Sequence, residues 1–143
     1  MADGGTGRVG RGADGYVPGP HRPGRQEVGA LGEDLAVAEL EQQGMEILAR
    51  NWRCKMGEID IVALEAAGER RTLVFCEVKC RTGLAFGLPL ESITHAKLRK
   101  LRHLAAHWLV TQQVHAQDIR LDAIGVVMLP GEPPALTHVR GIG

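Results

Sequence analysis

The sequence has few aromatic residues, no net charge and no long apolar run. Phenylalanine, tyrosine and tryptophan make up 3% of the 143 residues, which argues against a surface that binds single strands by stacking bases on aromatic rings. The longest apolar stretch, residues 123–129, is far shorter than the roughly 18–20 residues that a membrane span requires. Basic and acidic residues number 17 each, so no overall charge attracts the protein to nucleic acid or to a membrane.

Cysteine is also scarce, and the three cysteines at positions 54, 76 and 80 form no CxxC pair. Cys76 and Cys80 are four residues apart in a predicted strand, about 13 Å at the usual rise per residue. A disulfide needs Cα atoms within about 7 Å, so these two cannot be bridged there. The N-terminal residues contain no apolar segment typical of a secretory signal. We therefore expect a reduced, cytoplasmic protein with no membrane association.

The N-terminal segment differs in composition from the rest of the chain. Residues 1–25 contain eight glycines and three prolines and have almost nothing to bury. Such a segment cannot offset the entropy lost on ordering. The sequence therefore predicts a disordered Gly/Pro/Arg-rich tail over residues 1–27 and one folded domain over 28–143.

The folded part alternates between helical and strand patterns. Leu31, Leu35, Ala38 and Leu40 form an apolar stripe at helical spacing, and Gly44 follows as a stop signal. Runs rich in β-branched residues, separated by turn residues, predict strands. The predicted elements are a helix over 28–44, strands over 46–53, 58–64 and 72–80, a helix over 94–112, and strands over 120–129 and 135–139.

Charged residues occupy the middle of two otherwise apolar predicted strands. Alternation predicts that Ile59, Ile61 and Ala63 share one face, whereas Glu58 and Asp60 share the other. In the next strand, Phe75, Glu77 and Lys79 share one face, opposite Val74, Cys76 and Val78. A buried carboxylate costs several kcal/mol unless a positive group compensates it. The candidates for this group are Lys79 or a metal ion.

The hairpin between these strands predicts where the two carboxylates meet. A turn at Gly68-Glu69 places Asp60 opposite Glu77 and on the same face. Opposed residues have Cβ atoms about 4.5–5.5 Å apart, where two carboxylates repel unless they share a cation. Few oxygen ligands, with room for water and phosphate, suit Mg²⁺ or Mn²⁺. Lys79 could then hold an attacking water or stabilise charge on a pentacovalent phosphate.

Asp60 followed by Glu77-Val-Lys79 resembles the motif of the PD-(D/E)XK nuclease superfamily, with Ile59 where the name-giving motif has proline. Over residues 28–143 the sequence is also similar to the YraN family of small bacterial proteins (UPF0102). The stretches that carry this similarity are Gly32-Glu33-Asp34-Leu35-Ala36, Arg50-Asn51-Trp52-Arg53, Gly57-Glu58-Ile59-Asp60, Phe75-Cys76-Glu77-Val78-Lys79-Cys80-Arg81 and Phe86-Gly87.

The resemblance implies an α/β fold with a restriction-endonuclease-like core, in which helices flank a mixed central sheet in the order αβββαβ. It also implies a nuclease related to Holliday-junction resolvases that uses a divalent metal to hydrolyse a phosphodiester of nucleic acid. We expect DNA, in preference to RNA, as its substrate, and branched or damaged DNA as the form that it cleaves. Asp60 and Glu77 would bind Mg²⁺ or Mn²⁺, and Lys79 would be the catalytic lysine. Glu33 would be the additional catalytic or metal-binding acid of the first helix. Cutting two strands needs two sites, which implies a homodimer.

The second predicted helix carries a local basic patch, because no acidic residue occurs between Ser92 and Gln117. Arg81, Lys97 and Lys100 lie nearest the motif in sequence, and we expect them to contact nucleic-acid phosphates. The alternative is a solvated helix face.

Other interpretations of the charged residues remain open. Asp60, Glu77 and Lys79 could form a structural ion-pair network without a metal. Glu33 could be a surface charge favoured by the helix dipole. The whole domain could then be a non-catalytic module that binds nucleic acid or takes part in assembly.

Overall fold

The computed structural model describes residues 25–85 and 87–143. Its elements follow the predicted order, with an added 3₁₀ helix. They are α1 (Arg25–Gln42), β1 (Glu46–Cys54), β2 (Gly57–Ala67), β3 (Arg70–Arg81), the 3₁₀ helix (Pro89–Ser92), α2 (His95–Gln112), β4 (Asp118–Val127) and β5 (Ala135–Val139). Helix α1 begins at Arg25 rather than at residue 28, so the last residues of the predicted tail are helical. The rest of that tail lies outside the described residues.

The strands form one mixed sheet in the order β1-β2-β3-β4-β5. Strands β3 and β4 are parallel and are connected through α2, whereas the other neighbouring pairs are antiparallel. Helices α1 and α2 pack on opposite faces of the sheet. The α/β class and the helix-flanked mixed sheet are thereby confirmed, and the arrangement is consistent with a restriction-endonuclease-like fold. Among the described helices, none is long and apolar enough to cross a membrane.

The predicted register of the β2–β3 hairpin is confirmed. Ile61 pairs with Cys76 and Val62 with Phe75, the register that the Gly68-Glu69 turn requires. Gly68 has a φ of 64°, a left-handed conformation that glycine adopts without the steric cost of a Cβ. The turn therefore sets which residues of β2 and β3 face one another.

Each face of the sheet has its own apolar core. On the α2 face, Phe75 meets Trp108 edge to face with ring centroids 5.6 Å apart, and Trp52 packs at the margin of the same core. Both tryptophans are therefore packing residues. On the α1 face, Ala36 and Leu40 are fully buried against the sheet.

Helix α1 approaches β3 closely because Gly32 has no side chain. A Cβ on Gly32 would overlap the Sγ atom of Cys80. The absent side chain therefore lets the helix lie against the end of β3, and it places the next residue, Glu33, beside the end of the sheet that carries the predicted site.

A buried polar network lies on the α1 face of β4. Asp122 is 0% exposed, and Arg120 donates to both of its carboxylate oxygens at 2.8 and 3.0 Å. Nε2 of His138 lies 2.8 Å from Oδ2 of Asp122, and the Gly141 amide donates to Oδ1 at 3.1 Å. Arg120 also donates to Glu65 at 2.7 Å. Every oxygen of the buried Asp122 carboxylate is therefore hydrogen-bonded within the protein.

Candidate active site

Strand β2 reverses its two faces at Asp60. Ile61 packs in the core beneath α1, whereas Ile59 packs in the core beneath α2. Residues two apart in a regular strand share a face, so the chain must turn between them. The prediction that Ile59 shares a face with Ile61 and Ala63 is therefore wrong, because a simple alternation does not include this turn.

Strand β1 makes the same reversal opposite Asp60. Arg50 reaches Glu33 on α1, whereas Trp52 packs into the core beneath α2. Asn51, between them, has a φ of 52° and so is left-handed. It falls between the consecutive pairs Arg50–Ile61 and Trp52–Ile59 of the β1–β2 ladder. The reversal in both strands therefore occurs at the level of Asn51 and Asp60.

Where β2 and β3 separate, the Asp60 carboxylate, instead of a backbone carbonyl of β2, accepts a hydrogen bond from β3. The last backbone pair between these strands is Ile61–Cys76, and beyond it the Val78 amide donates to Oδ2 of Asp60 at 2.8 Å. Burial, followed by the charge of Glu77, raises the pKa of Asp60 from 3.8 to about 7, against the opposing effect of the Val78 hydrogen bond. The negative charge of an ionised Asp60 is therefore only partly compensated by its neighbours in the protein.

Two clefts meet at this end of the sheet. A cleft of about 850 Å³ beside α1 is lined by Glu33, Asn51, Arg53, Glu58, Asp60, Lys79 and Arg81 among others. A smaller one of about 170 Å³ beside α2 is lined by Glu58, Glu77, Lys79, Lys97, Lys100, Leu101 and Leu104. Glu58 and Lys79 line both clefts, so they stand at the junction.

The predicted trio is thus brought together, but not on one face. Asp60 opens into the cleft beside α1 and Glu77 into the one beside α2. This differs from the common face predicted for them, because the reversal of β2 turns Asp60 toward α1. Lys79 forms an ion pair with Glu77 at 2.9 Å, with their side chains 26% and 23% exposed. Lys79 therefore lies between the cleft that contains Asp60 and the cleft that contains Glu77.

Glu33 lies in the same cleft as Asp60, but its charge is already compensated. It is 7% exposed, and its Oε1 atom accepts hydrogen bonds from Nε of Arg50 and Nδ2 of Asn51, both at 2.9 Å. Arg50 also donates to Asp34 at 2.6 Å. Glu33 is thus a buried anchor for β1 rather than the surface charge that the helix dipole alone would suggest.

The predicted phosphate-binding residues divide between the clefts. Arg81 lines the cleft beside α1, and Lys97 and Lys100 line the one beside α2. None of the three has an acidic partner among the described residues. The Lys100 side chain lies over Gly57, whose φ of 146° and missing Cβ leave room for it. Positive groups free to meet an anion therefore flank the acidic residues on both sides.

The donor chemistry of the site fits a hard divalent cation, although its geometry is open. Among the described residues, no three His, Cys, Asp or Glu side chains come close enough to hold a metal ion by themselves. Asp60 nevertheless has negative neighbours, Glu77 and Glu58, that raise its pKa. A cation that takes only one or two carboxylates and completes its shell with water and phosphate oxygens, as Mg²⁺ does, suits such a site.

Comparison with known proteins identifies the protein family to which the chain is related. A family model described as "Uncharacterised protein family UPF0102" matches residues 32–126. The chain belongs to the UPF0102 family. A UPF0102 protein of Mycobacterium ulcerans is 49% identical over 119 residues, which cover 83% of this chain and 96% of the relative. One of Nocardia farcinica is 45% identical over 118 residues, which cover 82% of this chain and 90% of the relative.

All the predicted site residues of this UPF0102 chain lie within the matched segment, as does the Gly32 contact. The roles of Arg50 and Asn51 were not predicted, although they belong to one of the stretches that carry the resemblance. Asp122 was not predicted either. The sequence signal for Asp122 is the same as that for Asp60, namely a charged residue within an apolar strand. Arg120 lies two positions before Asp122 and therefore on the same strand face.

Proposed function

We propose that this UPF0102 chain is a metal-dependent nuclease that hydrolyses phosphodiesters of DNA, with branched or damaged DNA as the favoured substrate. The observation that carries the proposal is the state of Asp60. Its carboxyl is partly buried beside two other acids and has a pKa raised to about 7. Ionisable groups that lie in a cleft and have a strongly shifted pKa are typical of functional sites.

In this proposal Asp60 and Glu77 would hold Mg²⁺ or Mn²⁺. When bound, the cation would polarise the phosphodiester and make a coordinated water more acidic. Lys79 lines both clefts, which supports the proposal that it orients the attacking water or stabilises charge on the phosphate. Glu33 supports the site from α1.

Arg81 on one side, and Lys97 and Lys100 on the other, would hold the DNA backbone. Phosphate contacts of this kind give affinity without sequence specificity, so the substrate would be chosen by shape. Action on two strands would require two copies of the chain, which is why we also propose a homodimer. The three cysteines are free, in keeping with the reducing cytoplasm as the place of action.

The experiment is a cleavage assay on branched, nicked and intact duplex DNA with Mg²⁺ or Mn²⁺, using wild type, Lys79→Ala and Arg71→Ala. Arg71 is an exposed cation in the other half of β3 and serves as the matched control. We expect cleavage by wild type and Arg71→Ala, and a loss of about 100-fold or more in Lys79→Ala. Equal rates in all three proteins would refute the role of Lys79, and no cleavage by wild type on any substrate would count against the nuclease.

A second candidate is a module that binds nucleic acid without cutting it. The observation in its favour is that Lys79–Glu77 and Arg50–Glu33 already compensate two of the acids within the protein. This alternative predicts DNA binding that is unchanged by Mg²⁺ and by Asp60→Asn, with no product on any substrate.

A further inference from the structure

We infer that Glu33 is a positioning residue that acts through Asn51 to fix the carboxyl of Asp60, and that it does not itself bind the metal. The inference deepens the proposed function and rests on it for the identity of the metal site. It also gives a reason for the close approach of α1 to the sheet at Gly32, because that contact brings Glu33 to β1.

The hydrogen bonds of Glu33 converge on one oxygen. Oε1 accepts from Arg50 and Asn51, both on β1, whereas Oε2 accepts no hydrogen bond from the described residues. A buried carboxylate with a guanidinium and an amide as donors is compensated without a metal ion. These contacts tie the helix to two consecutive residues of β1.

Asn51 is the residue at which β1 reverses its faces. Its φ of 52° is a left-handed conformation, which asparagine adopts more readily than most residues. The Asn51 side chain donates a hydrogen bond to Glu33 at 2.9 Å, which holds it in place from α1. Asp60 lies opposite Asn51, between the pairs Arg50–Ile61 and Trp52–Ile59 of the β1–β2 ladder. Because both strands reverse their faces at this level, the hydrogen bond from Asn51 to Glu33 also fixes the turn in β2 that directs Asp60 into the cleft.

The Val78 amide offers a way to observe Asp60 without metal or substrate. Its hydrogen-bond partner is the Asp60 carboxylate, at 2.8 Å, and the backbone ladder between β2 and β3 has already ended at Ile61–Cys76. Protection of this amide against hydrogen exchange therefore depends on where the Asp60 side chain lies.

Two pairs of variants separate positioning from ligation. Glu33→Gln keeps the accepting Oε1 atom but removes the charge and replaces the free Oε2 by an amide nitrogen, whereas Glu33→Ala removes the anchor. Asn51→Gly keeps the left-handed backbone and removes only the side-chain bond to Glu33. Asp34→Ala is the control, since Asp34 is a neighbouring acid that also binds Arg50.

We expect exchange at Val78, measured in metal-free buffer, to be about tenfold faster in Glu33→Ala and Asn51→Gly. It should be unchanged in Glu33→Gln and Asp34→Ala. Mn²⁺ affinity, measured by calorimetry, should fall about 10-fold or more in Glu33→Ala, as for loss of a residue that orients a ligand. Glu33→Gln should stay within about twofold of wild type.

Equal loss of Mn²⁺ affinity in Glu33→Gln and Glu33→Ala would overturn the inference and make Glu33 a ligand. Unchanged exchange at Val78 in both Glu33→Ala and Asn51→Gly would overturn it as well. If wild type binds no Mn²⁺, the metal site fails, and the exchange arm still decides whether Glu33 positions Asp60.

Discussion

Asp122 on β4 and Asp60 on β2 are two acidic residues on either side of β3 in the same sheet. On β3, Cys76 pairs with Asp122 on one side and, on the other, with Ile61, the residue next to Asp60. Asp122 is surrounded by donors, namely the Arg120 guanidinium, the His138 ring and the Gly141 amide. Burial raises its pKa, but these partners outweigh burial, so the pKa lies below the ordinary 3.8. Asp60 has one backbone donor and two acidic neighbours, and its pKa lies near 7.

The difference separates a structural acid from a candidate functional one. Both sites place charge inside an apolar sheet, but only at Asp122 do the partners supplied by the chain outweigh burial. At Asp60, burial and the charges of Glu77 and Glu58 raise the pKa by more than the Val78 hydrogen bond and the charge of Lys79 lower it, so the ionised carboxylate is destabilising unless something from outside the protein binds there. The cost of keeping Asp60 ionised is therefore the feature on which the proposed metal site rests.

Removal of Asp122 should have the largest effect on stability. Asp122→Ala removes a fully buried carboxylate and leaves the His138 ring and the Gly141 amide without their acceptor, while Arg120 keeps only Glu65. We expect a loss of about 3–5 kcal/mol in the free energy of unfolding. Urea denaturation followed by circular dichroism would measure this loss. A change below about 1 kcal/mol would show that the network is not structural.

The corresponding change at Asp60 should have the opposite sign. Asp60→Asn keeps an oxygen that can accept from Val78 but removes the poorly compensated charge. We expect a gain of up to about 4 kcal/mol at pH 8 in metal-free buffer, the free energy that corresponds to the raised pKa of Asp60. Asp118→Asn, which alters an acid paired with Arg70, is the control and should not stabilise the protein.

The two acids should also differ in their dependence on pH. Since folding raises the pKa of Asp60 from 3.8 to about 7, its contribution to stability is present below about pH 4 and is lost as the pH rises to about 7. The lowered pKa of Asp122 gives a contribution that is present above pH 3.8 and is lost as the pH falls. Wild type should therefore lose stability relative to Asp60→Asn across pH 4–7. A constant difference between the two proteins would contradict the raised pKa.

The contact that brings α1 to the site can be tested with two glycines of one helix. Gly32→Ala introduces a Cβ that overlaps Cys80 and should cost about 1–3 kcal/mol. Gly29→Ala meets nothing within 4 Å and should instead stabilise the helix by about 0.5–1 kcal/mol. Thermal denaturation would compare them. Cys80→Ala should recover most of the Gly32→Ala loss, and its failure to do so would place the strain elsewhere.

The smallest expected effects concern the cations beside the acids. Lys97→Ala and Lys100→Ala should each weaken DNA binding and reduce the slope of log K against log salt by about 0.9. Arg71→Ala should change neither. Anisotropy titrations at several salt concentrations would measure the slopes, and slopes that match wild type would remove these lysines from the DNA-binding surface.

The order of the elements and the β2–β3 register could be predicted because both depend on local signals. Gly68-Glu69 is a turn, and the strands on either side of it alternate, so the pairing of Ile61 with Cys76 follows. The reversal at Asn51 and Asp60 could not be predicted in this way. It depends on one left-handed residue and on a hydrogen bond to Glu33, which lies 18 positions away in the sequence.

The Asp122 network shows a second limit. Asp122 and Arg120 are neighbours on one strand face, so their pairing could be inferred from the sequence. Their remaining partners, Glu65 and His138, come from β2 and β5 and become neighbours only when the sheet is assembled. A charged residue within an apolar strand is therefore recognisable from the sequence, but whether its charge is compensated is not.

The most direct test is calorimetric titration of Mn²⁺ into wild type, Asp60→Asn and Asp118→Asn, with and without a branched DNA. We predict binding to wild type and Asp118→Asn and its loss in Asp60→Asn, either for the protein alone or once DNA supplies phosphate oxygens. Equal binding to wild type and Asp60→Asn, or no binding to wild type even with DNA present, would contradict a metal site at Asp60.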